Sequence, residues 1–150
     1  MKNIELIPFK AEHLAGFHAR AHESRMVGSD YFMEWAKINE EHSVGYSGFY
    51  EGRFIGCGGI RMLWPGVGEA WAIFAEDPRE FAHEIYHYVS MGLEHIIAEH
   101  GLWRVQTPIA ADIAVNIRFI ENLGFEREGL MKKFGPDGDD FYIYAKVKVT

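Results

Sequence analysis

The stretch Ala111-Asp112-Ile113-Ala114-Val115-Asn116-Ile117-Arg118-Phe119-Ile120-Glu121-Asn122-Leu123-Gly124-Phe125-Glu126-Arg127-Glu128-Gly129 organises this chain. Ile113, Ile117 and Ile120 recur at helical spacing and make one apolar stripe. Asp112 is the expected N-cap, because a carboxylate accepts from the otherwise unpaired amides of a first helical turn. Gly124 is expected at C′, where a left-handed backbone is cheap only without a Cβ. Phe125 then enters the core at the start of a strand.

Working outward, residues 3–8 alternate and predict a short strand ended by Pro8. Residues 10–23 predict a helix with Leu14 and Phe17 on one face. A second helix is expected to about Asn39, capped by Ser29 or Asp30, with Tyr31, Phe32 and Trp35 as packing aromatics. Strands are predicted at 43–50, 53–63 and 68–75. Glu51-Gly52 and Pro65-Gly66 supply the turns between them. A long helix is expected from Pro78 to His100, since proline suits a first turn whose amide is unpaired anyway. Strands follow at 103–108, 125–134 and 141–149. The order β-α-α-β-β-β-α-β-α-β-β predicts an α/β fold, a mixed sheet with helices on its faces. One domain over residues 1–150 is expected from the length.

The chain carries 15 Lys and Arg against 22 Asp and Glu, a formal net charge of −7. Nucleic acid is therefore not an expected partner, because its binders show a basic footprint. A single cysteine, Cys57, excludes an internal disulfide. No apolar run approaches the ~20 residues of a membrane span, and residues 1–5 lack the apolar core of a signal peptide. A cytoplasmic protein without a membrane partner is expected.

Arg118, the run Glu121-Asn122-Leu123-Gly124-Phe125 and the pair Glu128-Gly129 resemble the C-terminal signature of the GNAT superfamily, the acyl-CoA-dependent N-acetyltransferases. The likeness is to the branch that acetylates protein N-termini. The turn Phe134-Gly135-Pro136-Asp137-Gly138-Asp139-Asp140, with Tyr142 and Tyr144 after it, resembles small phage and prophage members. The resemblance covers roughly the last third of the chain. It implies a GNAT-like fold with the same element order, acetyl-CoA as co-substrate and an amine-bearing acceptor. Further partners expected are a second copy of the chain or a phage structural protein. In the family, the strand before the long helix splays from its neighbour, and the pantetheine arm lies in the gap. That implies cofactor contacts at Ile73, Phe74 and Ala75, with Asn116 and Arg79 also reaching CoA. Glu69 stands where many members place the base that deprotonates the amine. The family's usual tyrosine position is Ile120 here, so Tyr142 is the expected substitute acid, with Tyr144 beside it.

Two features compete with this reading. The family's glycine-rich pyrophosphate loop, which lets helix-start amides approach phosphate, is replaced by Glu76-Asp77-Pro78-Arg79-Glu80-Phe81-Ala82-His83-Glu84. It contains no glycine and four carboxylates. That departure supports a rival class, a non-catalytic binding or phage-assembly module that keeps the fold. The run His83-Glu84-Ile85-Tyr86-His87 also matches the HExxH pattern of zinc peptidases. At about 100° per residue, however, both histidines fall opposite the helix's apolar face of Phe81, Ile85, Val89, Leu93 and Ile96. No metal is expected, and the peptidase is a distant third reading. Cys57, in a glycine-rich strand, is expected as a buried apolar residue.

Overall fold

Residues 1–16, 29–75 and 78–148 are described by the computed structural model. Tight turns fold the middle of the chain into a meander. β2 (Ser43–Tyr50) and β3 (Arg53–Trp64) are joined by Glu51-Gly52. Both turn residues have positive φ, 48° and 81°, the arrangement whose twist matches the paired strands. β3 returns as β4 (Val67–Phe74) through Gly66, φ 91°. β1 (Glu5–Pro8) pairs with β2, and β5 (Arg104–Ala110), β6 (Glu126–Met131) and β7 (Phe141–Val147) complete the sheet. The order is β1-β2-β3-β4-β5-β7-β6. Every neighbouring pair is antiparallel except β4 with β5. A parallel pair needs a crossover, and the long helix supplies it.

Among the described residues there are three α-helices: α1 (Phe32–His42), α2 (Ala82–His100) and α3 (Ala114–Asn122). α2 and α3 cover one face of the sheet, where Leu93, Ile96 and Ile120 bury Ile60, Val105 and Tyr144. α1 covers the other, where Phe32 and Ala36 pack with Phe9, Cys57 and Ile73. Strand side chains alternate between faces. Ala70 and Phe74 of β4 accordingly face α2 and α3, while Glu69, Trp71 and Ile73 face α1.

The predicted element order holds, with local differences. In place of a helix over 10–23, the described part is a 3-10 turn, Ala11–Leu14, ended by Gly16 at φ 76°. The rest of that prediction lies outside the described residues. α1 begins after Tyr31, whose side chain makes no cap. Ser29 contributes its backbone carbonyl instead, to the Phe32 amide at 3.3 Å. α3 begins after Ile113, not Asp112. β5 stays paired with β7 as far as Ala110, opposite Phe141, and a turn at residues 111–112 precedes the helix. The long helix opens as a 3-10 turn, Pro78–Phe81, before α2 proper.

Candidate active site

β4 and β5 are ladder partners only at Val67–Arg104, Gly68–Val105 and Glu69–Gln106. β4 continues to Phe74 and β5 to Ala110 without further pairing to each other, so the sheet opens into a slot above Glu69. β5 is held to β7 along its whole length, and β4 to β3 as far as Phe74. The splay is therefore built into two firmly paired halves. Thr107 Oγ1 bridges its base, donating to the Ala70 carbonyl at 3.0 Å. Pro108, next along β5, has no amide to offer a ladder. A cavity of about 920 Å³ runs through this opening and is lined from both faces of the sheet.

Glu69 stands at the apex of the slot, on the α1 face. Its Oε2 accepts from Arg61 Nη2 at 2.8 Å, and its Oε1 receives only a long 3.5 Å contact from Gln106 Nε2. Its side chain is 26% exposed, so water and ligands reach it. The row continues sideways: Arg104 Nε donates to Gln106 Oε1 at 2.9 Å, and its guanidinium grips both oxygens of Glu128 at 3.0 and 2.6 Å. The bidentate bond holds the Glu128 carboxyl below its ordinary range and the Arg104 guanidinium above its own. Four strands thus place Arg61, Glu69, Gln106, Arg104 and Glu128 in one hydrogen-bonded row.

Of the residues expected to contact CoA, Ile73 is buried on the α1 face. Phe74 lies on the opposite face, edge-on to Phe119 at 5.9 Å. Asn116 lies in the first turn of α3. These three and Glu69 line the same cavity. Ala75, Arg79 and Tyr142 stand outside that lining. The Ala75 amide donates to the Ile55 carbonyl at 2.9 Å. Backbone groups alternate along an antiparallel strand, so Ala72 and Phe74 turn theirs toward β5. Arg79 is exposed in the 3-10 turn. Glu76 and Asp77, the first acids of the loop, lie outside the described residues.

Tyr142 and Tyr144 lie on the α3 side of β7. Tyr144 is fully buried; it donates to Glu121 Oε2 at 2.8 Å and accepts from Arg127 Nε at 3.0 Å. Burial, reinforced by the bond to Glu121, pushes its phenol up, against the pull of Arg127. It is a structural hydroxyl. Tyr142 is half-buried, with the Arg127 guanidinium 3.7 Å from its ring centre. Ile120, at the family's tyrosine position, is a buried core residue.

Glu84 of the HExxH run turns inward and is 5% exposed. Its Oε2 accepts the Lys2 amide at 2.6 Å. That bond, with one from its own amide at the helix start, holds its carboxyl below the ordinary value. A peptidase would need this carboxylate in a cleft beside a metal-bound water. Among the described residues no group of three His, Cys, Asp or Glu is placed to hold a metal ion, and no helix is long and apolar enough to cross a membrane.

Sequence reasoning missed Arg61, Gln106 and Arg104, and took Glu128 only as part of a signature. Their signal was the period-two placement of Arg104 and Gln106 on one strand, readable as a shared face only once the strand's neighbour is known.

No protein-family model matches the sequence, and no curated protein matches it. Solved structures do. An IAA acetyltransferase from Bacillus cereus aligns with a TM-score of 0.74 at 10% identity, over 97% of this chain and 100% of its own. A GNAT family acetyltransferase from Elizabethkingia anophelis with acetyl-CoA bound aligns at 0.73 and 12%, over 99% and 100%. A mutant spermidine N-acetyltransferase from Vibrio cholerae aligns at 0.70 and 11%, over 96% and 93%. The chain has the GNAT acetyltransferase fold. Its structural neighbours are GNAT-family acetyltransferases, and at these identities the likeness carries the fold alone.

Proposed function

We propose that this chain is an acetyl-CoA-dependent N-acetyltransferase acting on an amine, folded as a single domain. One observation carries the reading: the β4–β5 ladder stops at Glu69–Gln106, leaving a slot beside an accessible carboxylate. The slot suits an extended thioester arm lying along the β4 edge near Ile73, Phe74 and Ala75, with Asn116 beside it. Arg79, in the 3-10 turn before α2, is the proposed cation for the phosphates. In the reaction the amine lone pair forms an N–C bond to the thioester carbonyl carbon, and the C–S bond breaks. Glu69, directly or through water, takes the proton that the amine gives up, since an ammonium has no lone pair for attack. Tyr142 is the proposed proton source for the departing sulfur, reaching it through water.

The acidic helix start weakens the phosphate contribution. Calorimetric titration is expected to give an acetyl-CoA Kd above about 0.1 mM, less than about 5.5 kcal/mol of binding free energy. Glu69→Gln is expected to lower kcat with little change in KM for acetyl-CoA. A second reading, a binding module without turnover, is favoured by the buried Ile120 at the usual tyrosine position. Absence of any acetyl-CoA binding would establish that second reading over the first.

A further inference from the structure

The face of the sheet that carries Glu69 is walled by aromatic rings on both sides of the slot. Trp71 follows Glu69 by two residues on β4 and so shares its face. Its indole lies over Gly45, where an added Cβ would come within 3.1 Å of Trp71 Cζ2. The ring is fixed in angle. Trp71 Nε1 donates to Ser43 Oγ at 2.9 Å, and Ser43 Oγ donates to Asn39 Oδ1 at 3.0 Å. Trp35 of α1 meets this indole edge-on at 5.4 Å, and Tyr31, at the start of α1, is 69% exposed.

The opposite wall comes from the β6–β7 loop. Glu69 is opposite Gln106, and two-residue steps along β5 lead from Gln106 to Ala110, which is opposite Phe141. Phe141 therefore shares the Glu69 face. Phe134 stands edge-on to it at 5.4 Å and is 55% exposed. The loop that presents Phe134 is braced by bonds from Lys133 N to Asp140 Oδ1 at 3.0 Å and from Gly135 N to the Asp139 carbonyl at 2.9 Å. Tyr31, Trp35, Trp71, Phe134 and Phe141 line the same cavity as Glu69.

We propose that the acceptor is an arylalkylamine, a monoamine bearing one flat aromatic group, with its ring between these walls and its nitrogen at Glu69 Oε1. This rests on the acetyl-transfer reading and adds its substrate class. Ring faces are negative and attract a cation, and exposed rings gain by being covered. Oε2 is engaged by Arg61, whereas Oε1 has only the long contact from Gln106, so one donor fits there. Among the described lining residues Glu69 is the only carboxylate. That suits one ammonium and leaves the other charges of a polyamine without partners.

The test is calorimetric titration with phenethylamine, butylamine, spermidine, glycylglycine amide and 2-phenylethanol, with coenzyme A present and absent. Phenethylamine is expected to bind at least about tenfold more tightly than butylamine. Tyr31→Ala and Phe134→Ala remove exposed rings, one from each wall, and should each weaken it about threefold or more. Glu69→Gln should weaken phenethylamine and leave the neutral 2-phenylethanol unchanged. Butylamine or spermidine binding as tightly as phenethylamine overturns the proposal, as does tighter binding of glycylglycine amide, which would point to a peptide N-terminus. Acetyl-CoA is titrated separately. Acetyl-CoA binding without an aryl preference defeats this inference alone. Phenethylamine binding without acetyl-CoA binding supports the amine site and defeats the acetyl-transfer reading.

Discussion

At Gly124 the backbone takes φ 91°. The Phe125 amide reaches back to the Ile120 carbonyl at 3.3 Å, and the Gly124 amide to the Glu121 carbonyl at 3.0 Å. These are the two bonds of a Schellman stop, and the buried pair Ile120 and Phe125 makes its apolar contact. An added Cβ would meet nothing nearer than Lys146 Nζ at 3.5 Å, so the cost of Gly124→Val is backbone strain. We expect a loss of about 1–3 kcal/mol, read from the denaturation midpoint; an unchanged midpoint contradicts the assignment. Tyr144→Phe is different in kind. It leaves Glu121 and Arg127 without their shared hydroxyl, and about 1–3 kcal/mol of stability should be lost. If the variant is as stable as the wild type, the hydroxyl is not a structural one.

Among the elements, β2 and β3 depend on glycines facing each other. A Cβ at Gly59 would collide with the Val44 carbonyl oxygen and lie 2.6 Å from Gly45 Cα. Both are backbone and cannot swing aside. Gly59→Ala is expected to cost about 1–3 kcal/mol and to disturb Trp71 above it, which a change in tryptophan emission would report. α2 has a separate anchor in the Lys2–Glu84 bond. The Glu84 carboxyl is held below its ordinary value of 4.5, so the folded state binds its proton less readily than the unfolded chain. Its contribution is fully present above about pH 4.5 and is lost as pH falls through the lowered value. The stability difference between wild type and Glu84→Gln should shrink as the solution is acidified below pH 4.5. A difference that stays constant across that window would show that Glu84 does not act through its charge.

Across the whole molecule, the net charge of −7 opposes an anionic cofactor. Glu80 is paired with Arg53 at 2.9 Å, and both side chains are more than half exposed. Removing the acid therefore also releases a cation near the start of α2. The double change Glu76→Gln with Glu80→Gln is expected to tighten acetyl-CoA binding, with the larger gain at low salt because exposed charges are screened. Equal affinity of the two proteins at low salt would remove repulsion as the cause of weak binding.

The element order, the glycine stop at 124 and the hairpin at Glu51-Gly52 were legible in the sequence, because local periodicity and turn chemistry act within a few residues. Glu69 is named as a candidate base only through its place in a resembling pattern, and its role stays a proposal. The inward turn of Glu84 and the burial of the Tyr144 hydroxyl were not legible. Each depends on a partner far along the chain: Lys2 for Glu84, and Glu121 and Arg127 for Tyr144. The slot is of the same kind. β4 and β5 each read as ordinary strands, and only their parallel register, ending at Glu69–Gln106 while outer neighbours hold both strands, opens the sheet. The ring-walled face likewise joins Tyr31, Trp71 and Phe134, which sit about forty and sixty residues apart. Sequence sets which face a side chain takes within its own strand or helix; tertiary pairing decides which faces meet.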